Sequence, residues 1–302
     1  QIGDSCFKGC NLLSTLVVDS ANAHYSTESG ALCNDSALLF VPSGLHQLDL
    51  SGDIISYDVS AFDSASTLEE IRVDSGNPVF SSGNGMLLNK DGTRIKYVPS
   101  AMKNILIPSS VTVLGSDAEG SSRSPLRDCG DIESIVYRSS SGTVVLSSFF
   151  LSDISYDSGK VDLFVIDSPG IEINGMSTKH GGIGTLMLIC DRLDILGSHT
   201  YTSDLDRLVV ETKECHISDL SRAGFSARTL CIDRSTLPLN KLIADTGEVY
   251  VSESVSGFVP DRGTMAGMYV LDHENWSLRL SSFLLGDKPV FVSNDVDGID
   301  VS

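Results

Sequence analysis

Residues 207–234 read RLVVETKECHISDLSRAGFSARTLCIDR, and within them a short apolar strand ended by an acid, LVVET from Leu208, returns 22 residues later as LCIDR from Leu230. The same unit recurs outward in both directions as LVVDS from Leu16, IRVDS from Ile71, FVIDS from Phe164 and YVLDH from Tyr269. Less perfect copies start at Leu48, Ile105, Ile135, Leu186, Val249 and Val290. From Phe164 onward the anchors lie 19 to 22 residues apart, and before it the intervals run from 23 to 34. A period of this size marks a chain whose units cannot bury an apolar face alone and must stack on their neighbours.

Three residues before most anchors stands a second aliphatic residue, as at Leu13, Leu45, Leu68, Ile132 and Leu205. The resulting L-x-x-L-x-V pattern puts alternate side chains inside and the rest in solvent, the inward face of a leucine-rich repeat strand. A small residue falls three positions before the first leucine, at Cys10, Ala65, Cys129, Thr202 and Gly224, where each coil turns back toward its neighbour. Cys10 and Cys129 therefore read as buried ladder positions rather than reactive thiols. The long early intervals contain GALCNDSALLFVP (residues 30–42) and GMLLNKDGTRIKYVP (residues 85–99), each an apolar run, a turn and a second apolar run ended by Pro. Each predicts a β-hairpin inserted in one coil, lengthening a loop without breaking the stack.

These motifs resemble the BspA-type leucine-rich repeats, whose coils carry I-G-x-x-A-F-x-x-C followed by L-x-x-I-x-I-P. Ile2, Gly3, Phe7 and Cys10 match that segment, as do Ile105, Ile107 and Pro108 followed by Val111, Leu114, Gly115 and Ala118. The hairpin from Gly85 to Pro99 is similar to the family's inserted hairpin, and Glu119 departs from the pattern where the family has Phe. The match runs to about residue 135, and beyond it only the strand periodicity continues. The resemblance implies a protein of host-associated microbes, extracellular or on the cell surface, with a protein partner such as host extracellular matrix or another surface protein. It also implies a longer parent chain, because the sequence opens in mid-repeat at Gln1 without a capping coil or export signal.

The 302 residues are 41% hydrophobic and 20% charged, enough for a large core and against disorder. Lys and Arg total 21 against 40 Asp and Glu, and a net charge of -19 argues against nucleic acid or an anionic lipid surface as partner. No apolar run nears the roughly 18 to 20 residues of a membrane span, so no membrane insertion is expected. Seven cysteines without a C-x-x-C pair disfavour zinc ribbons and thioredoxin chemistry.

The search for chemistry predicts no catalytic residue, no metal and no cofactor. The histidines 24, 46, 180, 199, 216 and 273 fall at unrelated phases, without an H-E-x-x-H pair. No G-x-S-x-G elbow and no phosphate-binding G-x-x-x-x-G-K-[ST] loop occurs, and Gly181, Gly182 and Gly184 read as a tight turn before Leu186. The acids after the strands, Asp19, Asp74, Asp167, Glu211, Asp233 and Asp272, admit two readings: a carboxylate ladder for Ca²⁺, or side chains that each bond the backbone of their own turn. The second is favoured because several copies are replaced by Ser, Pro or Arg. Asp295, Asp297, Gly298 and Asp300 lack the glycine position of an EF-hand.

One feature goes beyond the repeat itself. The residue after each anchor faces outward, and from the fifth coil it reads Val136, Val165, Met187, Val209, Cys231, Tyr250, Val270 and Phe291. At roughly 4.8 Å per rung the stripe is about 34 Å long, a candidate surface for a partner or for self-association, against the alternative that Val and Tyr are merely good strand formers. The sequence thus predicts one domain over residues 1–302. Its expected class is an α/β-type leucine-rich repeat solenoid of about twelve coils, with a parallel concave sheet, an irregular or short helical convex side and two inserted hairpins. Its expected function is non-enzymatic binding or adhesion through Val136, Val165, Met187, Val209, Tyr250 and Val270. The alternatives are a spacer for another domain and a polysaccharide-active enzyme on a parallel β-helix.

Overall fold

Two walls of parallel strands face each other across an apolar interior. The computed structural model describes side chains within residues 2–216, except 3–5, 8, 59, 131, 153–159, 177–181, 197–204, 207, 208 and 211, and beyond them the backbone of four strands between 223 and 279.

The first half holds β1 (Ser26–Glu28), β2 (Ala31–Cys33), β3 (Ala37–Phe40), β4 (Gln47–Leu50), β5 (Ser56–Tyr57), β6 (Glu70–Val73), β7 (Phe80–Gly83), β8 (Met86–Asn89) and β9 (Ile95–Tyr97). The second half adds β10 (Asn104–Ile107), β11 (Val113–Leu114), β12 (Ile132–Arg138), β13 (Thr143–Leu146), β14 (Val161–Asp167), β15 (Gly170–Ile173), β16 (Met176–Ser177), β17 (Ile183–Ile195), β18 (Thr200–Ile217), β19 (Ala223–Asp233), β20 (Ile243–Ser252), β21 (Gly267–Leu271) and β22 (Leu278–Arg279).

The near wall follows the predicted period. Ile105, Ile135, Phe164, Leu186, Leu208, Leu230 and Val249 pair rung on rung in parallel, as do Leu48 and Ile71. Their described side chains form a buried row, and a second inward row runs Ile107, Tyr137, Ile166, Leu188 and Val210. Gly184 lies inside β17 rather than in a turn, and a Cβ there would meet the Asp162 carbonyl at 2.5 Å, so the close approach of β14 to β17 requires glycine.

The predicted fold class is overturned on the far side of the core. Among the described residues there is no helix, and their regular structure is all-β. Where the leucine-rich repeat reading expects short convex helices or irregular connections, β11, β13, β15 and the second part of β17 pair in parallel, rung for rung. The reason is visible in T-V-V-L, G-I-E-I and R-L-D-I: each is four residues long and buries every second one, Val144 and Leu146, Ile171 and Ile173, Leu193 and Ile195. A period of two in so short a segment suits a strand and leaves no turn of helix to form. The strands β17 and β18 run through both walls, and the parallel strands from β10 to β21 make a single curled sheet, with β4–β6 and β3–β5 pairing apart from it.

The inserts are also more than hairpins in a loop. Each is a three-stranded antiparallel unit, β1–β2–β3 and β7–β8–β9, opening at Ser26 and Phe80. The β7–β8 turn, Asn84–Gly85, has positive φ at both residues, and Ser29–Gly30 at the β1–β2 turn shares that conformation. Both tips reach the near wall. Ile71 N–H donates to the Gly85 carbonyl at 2.8 Å and Asn84 Nδ2 donates to the Leu106 carbonyl at 2.8 Å, so this tip stands between β6 and β10 as a rung. Ser29 lies against Asp49 in the same way. The last strand of each insert joins the far wall: β3 pairs with β5 in parallel, and Arg94, just before β9, bridges Val113 of β11.

The two inserts belong to one duplicated stretch. Asp19, Asn22 and Asn34 recur as Asp74, Asn77 and Asn89, 55 residues later. Asn22 and Asn77 each accept from the backbone N–H groups two and three residues on. Stacked rings repeat as well, Phe7 on Phe40 at 4.7 Å and Phe62 on Tyr97 at 4.0 Å. Two anchors depart from expectation. Leu16–Val18 form no strand, and Val17 is 90% exposed. Met268 rather than Tyr269 pairs with Val249, and Val290 lies outside the described residues.

The duplicated asparagines make a direct test of burial. Asn77 is fully buried and also donates through Nδ2 to the carbonyls of Ser51 and Ile54, at 2.9 and 2.7 Å, while Asn22 is exposed. Asn77→Ala strands several buried backbone groups and is expected to cost about 3 kcal/mol, against about 1 kcal/mol for Asn22→Ala. Urea denaturation of both variants measures the difference, and equal losses would mean that the Asn77 bonds to Ser51 and Ile54 contribute nothing.

Candidate functional site

The outward face of the near wall carries the predicted stripe. Leu106, Val136, Val165, Met187 and Val209 share one register row, and the backbone continues it through Cys231 and Tyr250. Leu106 is 55% exposed. Val136, Met187 and Val209 are half-buried. Val165, between Val136 and Met187, is only 6% exposed although it points away from the core. The row is thus a shallow aliphatic strip with Leu106 at its most open end. The side chain of Tyr250 lies outside the described residues. Val270 is not in the row: it pairs with Val251, and Tyr269 stands opposite Tyr250. The interval from Val249 to its partner Met268 is 19 residues, one fewer than the predicted anchor spacing, and a one-residue slip exchanges the two faces of a strand.

Polar groups border the strip on both sides. On one, Ser134 Oγ donates to Asn104 Oδ1 at 2.7 Å, and Asn104 Nδ2 donates to Glu133 Oε2 at 2.8 Å. On the other, Arg138 Nε lies 3.8 Å from Asp167, at the mouth of a cleft of about 210 Å³. This cleft follows the crease where the sheet bends from near to far wall, and Lys213 and Asp191 close it with an ion pair at 2.6 Å.

Toward the N-terminus the same face becomes acidic. Glu28, Asp49 and Glu70 stand on successive rungs, and Glu28 and Asp49 line a cleft of about 510 Å³ together with Arg72. Arg72 grips Glu70 through Nε and Nη2, both at 2.9 Å. Asp49 accepts from Gln47 Nε2 at 2.9 and 3.0 Å, and Glu28 accepts from the Ser51 hydroxyl at 2.6 Å.

Of the acids predicted to follow the strands, Asp19 and Asp74 hold turns, whereas Asp167 faces Arg138. Ala21 N–H donates to Asp19 Oδ1 at 2.8 Å and Gly76 N–H to Asp74 Oδ1 at 2.7 Å, which is the backbone-capping alternative and not a carboxylate ladder. Side chains of Glu211, Asp233 and Asp272, and the segment from Asp295 to Asp300, lie outside the described residues, as do His180, His199 and His273. His46 meets Glu69 at 3.3 Å on the exposed edge. Among the described residues, no group of three or more His, Cys, Asp or Glu side chains is placed to hold a metal.

Sequence reasoning missed a buried charged cluster between the two halves of the core. Asp117 is fully buried, 3.3 Å from Arg123 Nη2 and 3.7 Å from Arg127 Nη1. The Arg127 guanidinium lies 4.9 Å over the ring of Tyr97, itself stacked on Phe62, and 3.6 Å from Asp128. Burial raises the Asp128 carboxyl above its usual range, and burial followed by the charge of Asp117 raises the Tyr57 phenol to about 12. The only signal in the sequence was the departure from the repeat at Glu119.

The cysteines divide by depth. Cys129 is buried, with Sγ 3.8 Å from the Val98 carbonyl and 3.9 Å from that of Pro99, and burial pushes its thiol far up. Burial raises Cys33 and Cys215 to about 12. Cys10, expected to be buried, is half-buried, and Cys6 is exposed.

No family model matches the chain, and no curated protein matches it. Among solved structures it is similar to the pneumococcal vaccine antigen PcpA, with 13% sequence identity and a TM-score of 0.39 over 69% of this chain. The match spans about half, 51%, of the PcpA chain. A likeness this slight carries neither fold nor function to the present protein. No described helix is long and apolar enough to cross a membrane.

Thiol depth is open to test. At pH 8 a thiol raised to about 12 is ionised to about one part in ten thousand, so iodoacetamide is expected to label Cys6 rapidly and to leave Cys33, Cys129 and Cys215 unmodified until denaturant is added. Peptide mass spectrometry reads each site, and rapid native labelling of Cys129 would remove it from the core.

Proposed function

We propose that this chain is a non-enzymatic protein-binding module of a microbial cell surface, which engages another protein through the outward face of its near wall. The observation that carries this reading is the aliphatic row from Leu106 to Val209, in parallel register across five strands. Apolar side chains held in water on a rigid sheet forgo roughly 25 cal/mol for each Å² left wet, and a partner that covers them recovers that energy without reordering the sheet. The resemblance of the N-terminal motifs to surface proteins of host-associated microbes supports an extracellular location, with host extracellular matrix or another surface protein as the partner.

A polysaccharide-active enzyme is the rival favoured by one observation, the grouping of Asp49, Glu70 and Arg72 on adjacent rungs. All three are bonded to neighbours in the open, and Arg72 is committed to Glu70. A general acid and base act best in a site that excludes water, and these rungs hold no such enclosure among the described residues.

The test compares the parent with Val136→Lys/Val209→Lys for binding to immobilised extracellular-matrix proteins and to intact host cells. Both side chains lie on the outward row, so the variant is expected to keep its melting temperature to within about 3 °C and to lose at least about tenfold in binding. Unchanged binding by a folded variant would overturn the reading. Hydrolysis of a polysaccharide panel that disappears in Asp49→Asn would establish the rival.

A further inference from the structure

We propose that the protein surface docking on this face is cationic, placing aliphatic side chains on the row from Leu106 to Val209 and Lys or Arg side chains against Glu28, Asp49 and Glu70. This rests on the reading of the face as a docking surface and adds the chemistry of its occupant.

Continuity is the first support. The acidic rungs and the aliphatic rungs are separated in sequence by an insert, yet its tip joins them: Ile71 bonds the Gly85 carbonyl and Asn84 bonds the Leu106 carbonyl. A second tip, at Ser29, carries Glu28 onto the same face beside Asp49. A partner covering the row from Leu106 to Val209 and extending along the stack therefore meets carboxylates within about 15 Å of Leu106, at roughly 4.8 Å per rung.

Charge is the second. The rungs of Glu28, β4 and β6 carry three carboxylates and one guanidinium. That guanidinium, Arg72, bonds Glu70 and stands opposite Asp49 in register, so one positive charge meets three carboxylates, and Glu28 and Asp49 accept besides from the neutral donors Ser51 and Gln47. Neutral donors orient a carboxylate without cancelling its charge, so this end of the face attracts cations. The whole chain adds a net charge of -19. A second copy would bring the same charge to the same face, and repulsion between two such surfaces disfavours self-association there. A cationic partner gains both from long-range attraction and from local pairing.

The experiment uses the full chain and three blocked peptides built from Leu-Lys-Ser, Leu-Gln-Ser and Leu-Glu-Ser repeats, with binding read by calorimetry at physiological salt. The Lys peptide is expected to bind at least about tenfold more tightly than the Gln peptide, and the Glu peptide least. Asp49→Lys is expected to weaken the Lys peptide by about tenfold, whereas Asp91→Lys, the same charge change at the far end of β8 from the tip, leaves it within about twofold. Leu106→Ser/Val209→Ser is expected to weaken all three peptides, with circular dichroism confirming that each variant is folded. If the Gln or Glu peptide binds as tightly as the Lys peptide and still depends on Leu106 and Val209, the face docks proteins but the cationic partner is wrong. If Asp91→Lys weakens binding as much as Asp49→Lys, the attraction belongs to the whole chain and the assignment to this face is overturned. If no peptide responds to Leu106→Ser/Val209→Ser, the docking reading falls and the inference with it.

Discussion

Parallel register is the constraint on which the rest of the molecule depends. Each rung pairs like with like, so that Ile105, Ile135, Phe164 and Leu186 stack as one buried row and Leu106, Val136, Val165 and Met187 as one outward row. A slip by one residue would exchange the rows and turn the buried side chains of that strand into solvent. Each unit on its own exposes the edges of its strands, and only its neighbours satisfy them. Stability and the composition of the outward face therefore come from the same source, and a change that disturbs the register disturbs both.

The inserts show how the stack tolerates irregular spacing. An insert carried as a plain loop would leave β6 and β10 apart, with unpaired backbone groups between them. Instead the Asn84–Gly85 tip supplies the missing rung, and the Ile71 N–H and the Leu106 carbonyl both find partners on it. Two consecutive residues with positive φ are strained for most side chains, and Asn with Gly supplies them at little cost. The same device at Ser29–Gly30 is part of the 55-residue duplication. The duplication thus preserves a way of bridging the wall together with its asparagine clasps and stacked rings.

Charge is used in opposite ways inside and outside. Asp117, Arg123 and Arg127 meet where the two cores join, and two guanidinium groups within 4 Å offset the cost of burying that carboxylate. Removing one partner would leave the others uncompensated, so the cluster locks the junction without being a site for chemistry. On the near wall, Glu28, Asp49 and Glu70 remain in water, where their field reaches a partner before contact does.

The sequence by itself determined the near-wall anchors from Leu48 to Val249, the inward rows and the phase of the outward row as far as Tyr250, because a strand period of two and a recurring aliphatic anchor are written directly in the aliphatic positions. The far wall was not read from the sequence: T-V-V-L and R-L-D-I alternate, but four residues are too few to separate a strand from an irregular turn until a neighbouring rung pairs with them. Only tertiary structure placed Tyr269 in the row instead of Val270, because register is decided by pairing across rungs and not by the pattern within one. Only tertiary structure brought Asp117 to Arg127, and turned two loop insertions into rungs of the wall, because those contacts join residues whose local sequence carries no periodic signal.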